Sequence, residues 1–369
     1  MKAWPFLLIA FVQSFLFAAH WFLYRTFVAF WFPLSPQAAQ TLQGVVFALS
    51  VSFMVAALLG FRFTNIVVSS FYRLAATWLG FLNFFFWAAC LCWLAEFGGR
   101  SVGVHVNRPL VAAVYFGAAL AAGVYGLLNA YFIRVRRISV ELPGLPENWR
   151  GRTALLLSDL HLGNINGRKF GRRIASLSAQ LQPDIVLIPG DLFDGTRGDP
   201  DRLAEPLKDL TAPLGVYFAS GNHDEFGGVA HYTAAMRRVG IHVLQNEMAT
   251  VDGLHIVGAS YGDAAYPLRF KAFLDGLDLP RGEASILLNH VPSRLPIAEQ
   301  AGIGLQLSGH THGGQVFPFT WLTRRVFGKF TYGLQRLGRL QVYTSTGAGT
   351  WGPPMRVGTA PEMVLIRFA

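Results

Sequence analysis

Five short clusters of residue types that can bind metal ions lie between residues 153 and 369. They read Ser158-Asp159-Leu160-His161, Gly190-Asp191, Gly221-Asn222-His223-Asp224, Asn289-His290 and Gly309-His310-Thr311-His312. Carboxylate, imidazole and amide groups together suit Mn²⁺, Fe²⁺ or Zn²⁺. The two cysteines, Cys90 and Cys92, lie outside this region. Sites built on thiolates, whether zinc or iron–sulfur, are therefore excluded here.

The spacing within these clusters favours a site for two ions. One residue separates Asp159 from His161 and His310 from His312, so both side chains of each pair can converge from one turn. Aspartates from different strands can bridge neighbouring ions. Two metals about 3.5–4 Å apart stabilise the attacking and leaving oxygens of a displacement at phosphorus. A single cluster of this kind means little, but five in this order predict a hydrolytic metal site.

The elements that must position these clusters are short strands alternating with helices. Short apolar runs predict strands at Ala154–Leu157, Ile185–Ile188, Gly215–Ala219, His255–Val257, Ile286–Leu288, Leu305–Leu307, Gln341–Tyr343 and Met363–Ile366. Helices are predicted at Lys169–Leu181, Val229–Val239 and Leu268–Leu274. Short apolar strands indicate sheets covered on both faces, and hence an α/β domain. Polar residues at strand ends are where open α/β sheets build their sites.

The composition changes near residue 134. The chain has 369 residues, of which 52% are hydrophobic and 14% charged, against about 25% charged residues in soluble domains. Residues 1–133 contain only seven charged residues, namely Lys2, Arg25, Arg62, Arg73, Glu96, Arg100 and Arg108. Four apolar stretches there can each cross about 30 Å of hydrocarbon. They are Trp4–Tyr24, Thr41–Phe61, Phe71–Ala95 and Pro109–Ile133. This composition excludes a disordered chain and a plain cytosolic enzyme.

We therefore expect a transmembrane helical domain at residues 1–133, a basic connector at 134–152 and an α/β domain at 153–369. Four spans place both termini on one side of the bilayer. If that side is the cytoplasm, it carries six basic residues near the spans against three on the other side, which favours a multi-pass protein of the inner or plasma membrane with a cytoplasmic catalytic domain. The lipid bilayer is one expected partner. Because residues 134–369 carry a net charge of only +5, no nucleic-acid partner is expected.

The five clusters resemble the motifs of the calcineurin-like metallophosphoesterase superfamily, which read D-x-H, G-D, G-N-H-D/E, H and G-H-x-H. The resemblance covers about residues 153–369. The sequence GHTHGGQ at 309–315, with Tyr332-Gly333-Leu334 and Pro361-Glu362 after it, is similar to one membrane-associated bacterial branch. The resemblance implies a four-layer αββα sandwich, preceded here by the four-span helical domain, and hydrolysis of phosphoester or phosphoanhydride bonds by two divalent metal ions.

The resemblance also implies a role for each cluster residue. One ion would be bound by Asp159, His161 and His312 and the other by Asn222, His290 and His310, with Asp191 bridging both. His223 would protonate the leaving oxygen, and Asp224 would orient its imidazole. Arg356 is a candidate for pairing with a substrate phosphate. Asp194, three residues after Asp191, is interpreted as structural.

Three functions remain open from the sequence. The resemblance favours a membrane-bound phosphoesterase acting on a lipid-linked substrate, either UDP-diacylglucosamine-like or phospholipid-like. The alternatives are a phosphodiesterase for soluble substrates such as cyclic nucleotides, with the helices as an anchor only, and a non-catalytic membrane sensor. Val316–Phe330 mixes aromatic and basic residues directly after the GHTHGGQ sequence. It is interpreted either as an interfacial face beside an amphiphilic substrate or as a core-packing loop with a solvated basic edge.

Overall fold

The computed structural model describes residues 4–31, 33–63, 65–196, 198–226, 228–280 and 282–369, without the side chains of residues 4–6. Lys2, which contributes to the charge count above, lies outside them. The described chain forms two compact units. One consists of the residues up to Leu128 together with Gly352–Val357, and the other of Asn129–Trp351 together with Gly358–Ala369.

The first unit is built from four long apolar helices. They are α1 (Trp4–Phe30), α2 (Pro36–Gly60), α3 (Ile66–Ser101) and α4 (Arg108–Tyr131). Each contains a stretch long and apolar enough to cross a membrane, as the four predicted spans require. Side-chain caps begin three of them. The Ser35 hydroxyl accepts from the Ala38 N–H, the Asn65 amide oxygen from the Val68 N–H and the Asn107 amide oxygen from the Leu110 N–H.

Polar side chains join α1 to α3 inside the helical unit. The Trp78 indole N–H donates to His20 Nε2 at 2.9 Å, and the Trp93 indole N–H donates to Thr26 Oγ1 at 2.9 Å. Hydrogen bonds of this kind hold helices together where hydrocarbon provides no other partner for polar groups. The buried polar side chains of His20 and Thr26 on α1 thus have hydrogen-bond partners on α3.

The second unit contains twelve strands and eight helices among the residues that the structure describes. The strands are β1 (Arg134–Val140), β2 (Thr153–Leu156), β3 (Ile185–Pro189), β4 (Val216–Ala219), β5 (His242–Val243), β6 (Glu247–Val251), β7 (Leu254–Gly258), β8 (Ser285–Leu288), β9 (Leu305–Ser308), β10 (Gly333–Leu337), β11 (Leu340–Thr344) and β12 (Glu362–Phe368). The helices are α5 (Arg168–Leu181), α6 (Pro200–Ala204), α7 (Asn222–Phe226), α8 (Val229–Arg238), α9 (Tyr261–Ala264), α10 (Pro267–Asp275), α11 (Leu295–Gln300) and α12 (Phe319–Phe327).

The strands form two six-stranded sheets. Their orders are β1-β12-β2-β3-β4-β5 and β10-β11-β9-β8-β7-β6. Strands β2 to β5 run parallel, as do β7, β8, β9 and β11, whereas β12 is antiparallel to β2. The carboxyl ends of the parallel strands in each sheet therefore lie at one edge of that sheet.

Alternating side chains of each strand enter two different cores. From β2, Leu156 packs in a cluster that also contains Ile286 and Leu305 of the other sheet. Its neighbour Leu155 points to the opposite face, in a cluster with Ile174 of α5 and other apolar residues from helices. A third cluster packs α10 and α11 on the outer face of the second sheet. The unit is thus a four-layer αββα sandwich, as expected.

All eight predicted strands and all three predicted helices of this unit are present, with small differences in their bounds. The expected connector at 134–152, however, contains β1, which pairs in parallel with β12 from Arg134 opposite Glu362 onwards. Its sequence, RVRRISV, places two arginines side by side and does not alternate strictly. Such an edge strand lacks the period-2 signal of a half-buried one. Strands β5, β6 and β10 were not predicted either.

Candidate metal centre

The five clusters predicted to bind metal follow the carboxyl ends of β2, β3, β4, β8 and β9. Among the residues that the structure describes, ligand atoms of His and Asp side chains come within 4.8 Å of one another in three groups. The groups are Asp159, His161 and His312; His161, Asp191 and His223; and Asp191, His290 and His310. Because Asp191 belongs to two groups and His161 to two, the three are one continuous cluster.

The predicted amide ligand, Asn222, lies in the same cluster. Its Oδ1 is 2.9 Å from His310 Nδ1, and its side chain is buried at the start of α7. Of the seven residues predicted as metal ligands, all but the partly buried His310 are buried. The structure thus brings together all seven residues that the sequence singled out.

The backbone of the cluster is strained. Five of its residues adopt left-handed φ angles between 47° and 68°, namely Asp159, His161, Asp191, His310 and His312. Residues other than glycine rarely adopt this conformation, and each instance costs about 1–3 kcal/mol. Strain of this kind persists where the surrounding structure fixes it, and it is concentrated here in the turns that aim the side chains at one point.

Gly309 makes one of these turns possible. A Cβ at Gly309 would lie 2.1 Å from Asp159 Oδ2 and 1.9 Å from Ser158 Oγ. Because glycine has no Cβ, the His310 N–H can approach both Asp159 carboxylate oxygens, at 3.0 and 3.2 Å. The Ser158 hydroxyl donates to Asp159 Oδ2 at 2.6 Å. These bonds fix the Asp159 carboxylate in one orientation.

The tautomer of His290 indicates a place for a cation. Its Nδ1 lies 2.8 Å from the Pro189 carbonyl oxygen, so Nδ1 carries the proton and Nε2 has a lone pair in the neutral ring. That Nε2 faces Asp191 Oδ2 at 3.0 Å. Two buried acceptors at this distance repel each other unless positive charge lies with them. The donor set of the cluster therefore fits divalent metal ions.

The electrostatics of His290 and Asp191 agree with this. Burial alone would lower the pKa of His290, but the Asp191 and Asp159 carboxylates and the Pro189 carbonyl together raise the pKa to about 9. Burial likewise opposes ionisation of Asp191, yet His290 holds the pKa of that carboxyl below its usual range. The pocket thus stabilises positive charge beside Asp191, which a proton or a metal ion can supply.

Two other members of the cluster are shifted mainly by desolvation. Burial, followed by the positive charge of His290, lowers the pKa of His310 to about 4, so its imidazole is neutral at pH 7. Neutral imidazole is the form that binds a metal. Burial also raises the pKa of Asp159 to about 6, and the Asp191 carboxylate acts in the same direction. Both carboxylates lie within 4.0 Å of His290 Nε2, and nearby cations favour the ionised form of such a pair.

His223 lies beside the cluster and is only partly buried. Its Nδ1 donates to the Asp194 carbonyl oxygen at 2.9 Å, and its backbone N–H donates to Asp191 Oδ1 at 2.9 Å. Its ring lies edge-on to His161, with 4.8 Å between ring centroids. Since Nδ1 is engaged with a carbonyl, Nε2 is the nitrogen that can exchange a proton.

Asp224 does not make the expected bond to the His223 ring. Its buried carboxylate accepts four backbone N–H groups, those of Asp191 and Gly221 on Oδ2 and those of Leu192 and Phe193 on Oδ1. Burial and the Asp191 charge raise the pKa of Asp224 to about 7, while the four donors favour the ionised form. Asp224 joins the loops after β3 and β4, and the Asp194 carbonyl orients His223 instead.

Arg356 is described with the helical unit rather than with the unit that holds the cluster. It is fully buried within Gly352–Val357, the segment that belongs to the helical unit. Its backbone N–H donates to the Gly126 carbonyl oxygen of α4 at 2.9 Å. The pairing of Arg356 with a substrate phosphate stays a prediction.

His223 is flanked by two aromatic residues that were not predicted from the sequence as part of the site. Exposed Phe226 and Trp351 have ring centroids 5.3 and 5.4 Å from that of His223. Gln315, the last residue of the GHTHGGQ sequence, fixes Trp351 by accepting from its N–H at 3.0 Å and donating to its carbonyl at 2.9 Å. Gln315 stands out in the sequence as part of the GHTHGGQ motif. Nothing in the sequence, however, indicates that it bonds to Trp351, 36 residues later.

Comparisons with known proteins agree on one family. The family model described as calcineurin-like phosphoesterase matches residues 153–314. A transmembrane protein with metallophosphoesterase domain from Danio rerio is 35% identical over 311 residues, covering 77% of this chain and 70% of that protein. An uncharacterized metallophosphoesterase from Campylobacter jejuni is 34% identical over 241 residues, covering 63% of each chain.

The Danio rerio alignment extends beyond the α/β unit, because residues 134–369 make up less of this chain than the 77% it covers. It therefore includes part of the N-terminal helices. Among solved structures, a dimetal phosphatase from Danio rerio is similar with a TM-score of 0.34 and 10% identity, over 54% of this chain and 88% of that one. A similarity this low supports no functional comparison.

Proposed function

Because the chain belongs to the calcineurin-like metallophosphoesterase family, and is thus a metal-dependent phosphoesterase, we propose that it cleaves a phosphoester or phosphoanhydride bond of a lipid-linked substrate at a membrane. The substrate would be UDP-diacylglucosamine-like or phospholipid-like. The chain is a membrane protein with four helices long and apolar enough to span a bilayer. We further propose that it resides in the inner or plasma membrane with its α/β unit in the cytoplasm.

The observation that carries the hydrolytic part is the sharing of Asp191 between two ligand groups. Its Oδ2 faces His290 Nε2, and its Oδ1 accepts the His223 N–H. In this proposal Asp159, His161 and His312 would hold one ion, Asn222, His290 and His310 would hold the other, and Asp191 would contribute to both. Two divalent ions supply Lewis acidity for displacement at phosphorus when they are bound.

The residues of the chain fix the remaining parts of the reaction. Asp224 holds the two loops that carry Asp191 and His223, through four backbone hydrogen bonds. The Asp194 carbonyl fixes the His223 tautomer, which leaves Nε2 to donate a proton to the leaving oxygen. General acids placed in this way typically contribute about 10²–10⁴ in rate. His223 is thus proposed as the catalytic acid.

Two observations support the proposal of a lipid-linked substrate, namely the four apolar helices and the exposed aromatic residues. A hydrolase of soluble substrates gains nothing from four apolar helices beyond attachment, whereas an enzyme of amphiphilic substrates must work at the bilayer surface. Phe226 and Trp351, both more than half exposed beside His223, offer apolar surface at the site that a purely ionic substrate would not need.

The test is a hydrolysis screen of the purified full-length protein in detergent or nanodiscs with added Mn²⁺. Its substrates are a UDP-linked diacylglucosamine lipid, a phospholipid, cyclic nucleotides and an aryl phosphodiester. Asp191→Asn is the inactive control. We expect the highest kcat/KM on a lipid-linked substrate, and no turnover by the control.

Each other outcome contradicts a specific part of the proposal. Faster hydrolysis of cyclic nucleotides than of any lipid would contradict the substrate class and favour an anchored phosphodiesterase. Metal-loaded protein that hydrolyses none of the four substrates would contradict the catalytic assignment and favour a sensor. Turnover by Asp191→Asn equal to that of the parent would contradict the role of the cluster.

A further inference from the structure

The helix that follows the GHTHGGQ sequence has no buried side chain. Helix α12 is described over Phe319–Phe327 with all nine residues exposed or partly exposed. Phe319, Leu322 and Val326, spaced to form one stripe along the helix, are exposed by 53%, 60% and 66%. Trp321 beside them is 69% exposed. A soluble unit rarely leaves so continuous an apolar surface uncovered.

The same region carries positive charge, and its own stretch of sequence contains no acidic residue. No Asp or Glu occurs between residues 313 and 361 of the sequence. The last turn of α12 contains Arg324 and Arg325, and Lys329 follows in the next turn. Exposed aromatic and aliphatic residues combined with basic ones are the composition of helices that lie in the interface of an anionic bilayer.

Tyr332 connects this region to the strand that directly follows α4 in the chain. Tyr332, just beyond α12, accepts a hydrogen bond from Arg136 of β1 at 2.6 Å and packs under its guanidinium. Arg136 is five residues after Tyr131, the last residue of the bilayer-length helix α4. At about 3.3 Å per residue, those five residues span no more than about 17 Å. The region is thus tied, through β1, to the residues that come directly after the bilayer-length helix.

The region is also attached directly to the metal cluster. The Phe327 ring lies 6.1 Å from the His310 ring, and the Thr311 hydroxyl donates to the Thr331 carbonyl oxygen at 2.8 Å. Thr311 lies between two of the residues proposed as metal ligands. A surface bound by α12 would therefore lie beside His310, one of the residues proposed to hold a metal ion.

We propose that the α12 segment (residues 317–332) binds the surface of an anionic lipid bilayer, with the apolar stripe of α12 in the headgroup–acyl boundary and its basic residues at the lipid phosphates. This interaction holds the opening of the metal cluster at the membrane surface, where a lipid-linked phosphoester is presented. The second part of this inference rests on the proposed function, whereas the binding of lipid does not.

The test measures membrane contact without using activity. In the full-length chain with Cys90→Ser and Cys92→Ala, Leu322→Cys is labelled with a bimane fluorophore and placed in nanodiscs of phosphatidylcholine and phosphatidylglycerol that contain an acyl-chain nitroxide lipid. The matched control is Leu268→Cys on α10, whose native leucine is 84% exposed. We expect roughly twofold or stronger quenching at position 322 than at 268, because interfacial helices lie about 5–10 Å into the boundary.

A second variant tests the charge. Arg324→Glu with Arg325→Glu reduces quenching at position 322 in anionic nanodiscs and has little effect in pure phosphatidylcholine. Equal quenching at positions 322 and 268, or no quenching at 322, would overturn the proposal. A probe at 322 that is shielded from aqueous iodide but not quenched by the lipid nitroxide would also overturn it, and would indicate a second copy of the chain on this face.

Activity separates this inference from the proposed function. Leu322→Glu with Val326→Glu lowers hydrolysis of a lipid-linked substrate in vesicles about tenfold or more, and leaves hydrolysis of a soluble aryl phosphodiester unchanged. Equal loss on both substrates contradicts a membrane role for α12. Quenching at position 322 in a protein that hydrolyses neither substrate would support the bilayer contact and contradict the proposed function.

Discussion

Replacement of His223 by alanine separates proton donation from metal binding. In the structure the His223 ring is held by one hydrogen bond, from Nδ1 to the Asp194 carbonyl, and its backbone N–H donates to Asp191. Alanine keeps the backbone bond and removes the ring. We therefore expect His223→Ala to retain its metal content while losing the group that protonates the leaving oxygen.

The size of the loss depends on the leaving group. With an alkoxide or lipid leaving group, loss of a general acid costs about 10²–10⁴ in kcat, which is about 2.7–5.4 kcal/mol of transition-state stabilisation. With p-nitrophenolate, a weakly basic leaving group that departs without protonation, the same variant loses less than about tenfold. The ratio between the two losses is the expected signature.

The assay compares kcat of the parent and His223→Ala on a p-nitrophenyl phosphodiester and on an alkyl phosphodiester, with metal content measured on the same preparations. The matched control is His231→Ala, since His231 is exposed on α8, and it should leave both rates unchanged. Equal losses on both substrates would refute proton donation by His223. A loss accompanied by missing metal would instead make His223 a ligand, as its place beside His161 and Asp191 permits.

Three further perturbations test the construction of the centre. Asp224→Asn leaves two of four buried N–H groups facing an amide NH₂, so we expect it to destabilise the α/β unit by about 2–6 kcal/mol, at about 1–3 kcal/mol for each unpaired group, measured by its thermal unfolding. Gly309→Ala forces a methyl group against Asp159, so it should lower the metal content of purified protein; an unchanged content would contradict the account of that turn. Treatment with a chelator should abolish hydrolysis, and Mn²⁺ or Zn²⁺ should restore it; activity that survives complete metal removal would contradict a metal-dependent reaction.

The sequence predicted those parts of the fold whose signal is local. Strands such as β2 and β8 are continuous apolar runs because both of their faces are buried. Strand β1 carries no such signal, since most of its residues are exposed or partly exposed and only its pairing with β12 makes it a strand. An edge strand that depends on a partner more than 200 residues away cannot be read from its own residues.

The metal centre, too, was predictable only where its signal is local in the sequence. The predicted ligands were visible as residue types at strand ends, and the structure gathers them. The role of Asp224 was not visible, because which groups a buried carboxylate meets depends on how two loops approach each other. Arg356 was a candidate by chemistry alone, and its burial in the helical unit could be learned only from the packing of the chain.

Elemental analysis of the purified full-length protein tests the central claim most directly. Metal content is compared among the parent, Asp191→Asn and Asp275→Asn, the last being an exposed carboxylate on α10. We expect about two divalent ions per chain in the parent and in Asp275→Asn, and a clear reduction in Asp191→Asn. A parent protein that is active without bound metal, or an Asp191→Asn variant with undiminished content, would contradict a centre in which Asp191 joins two ions.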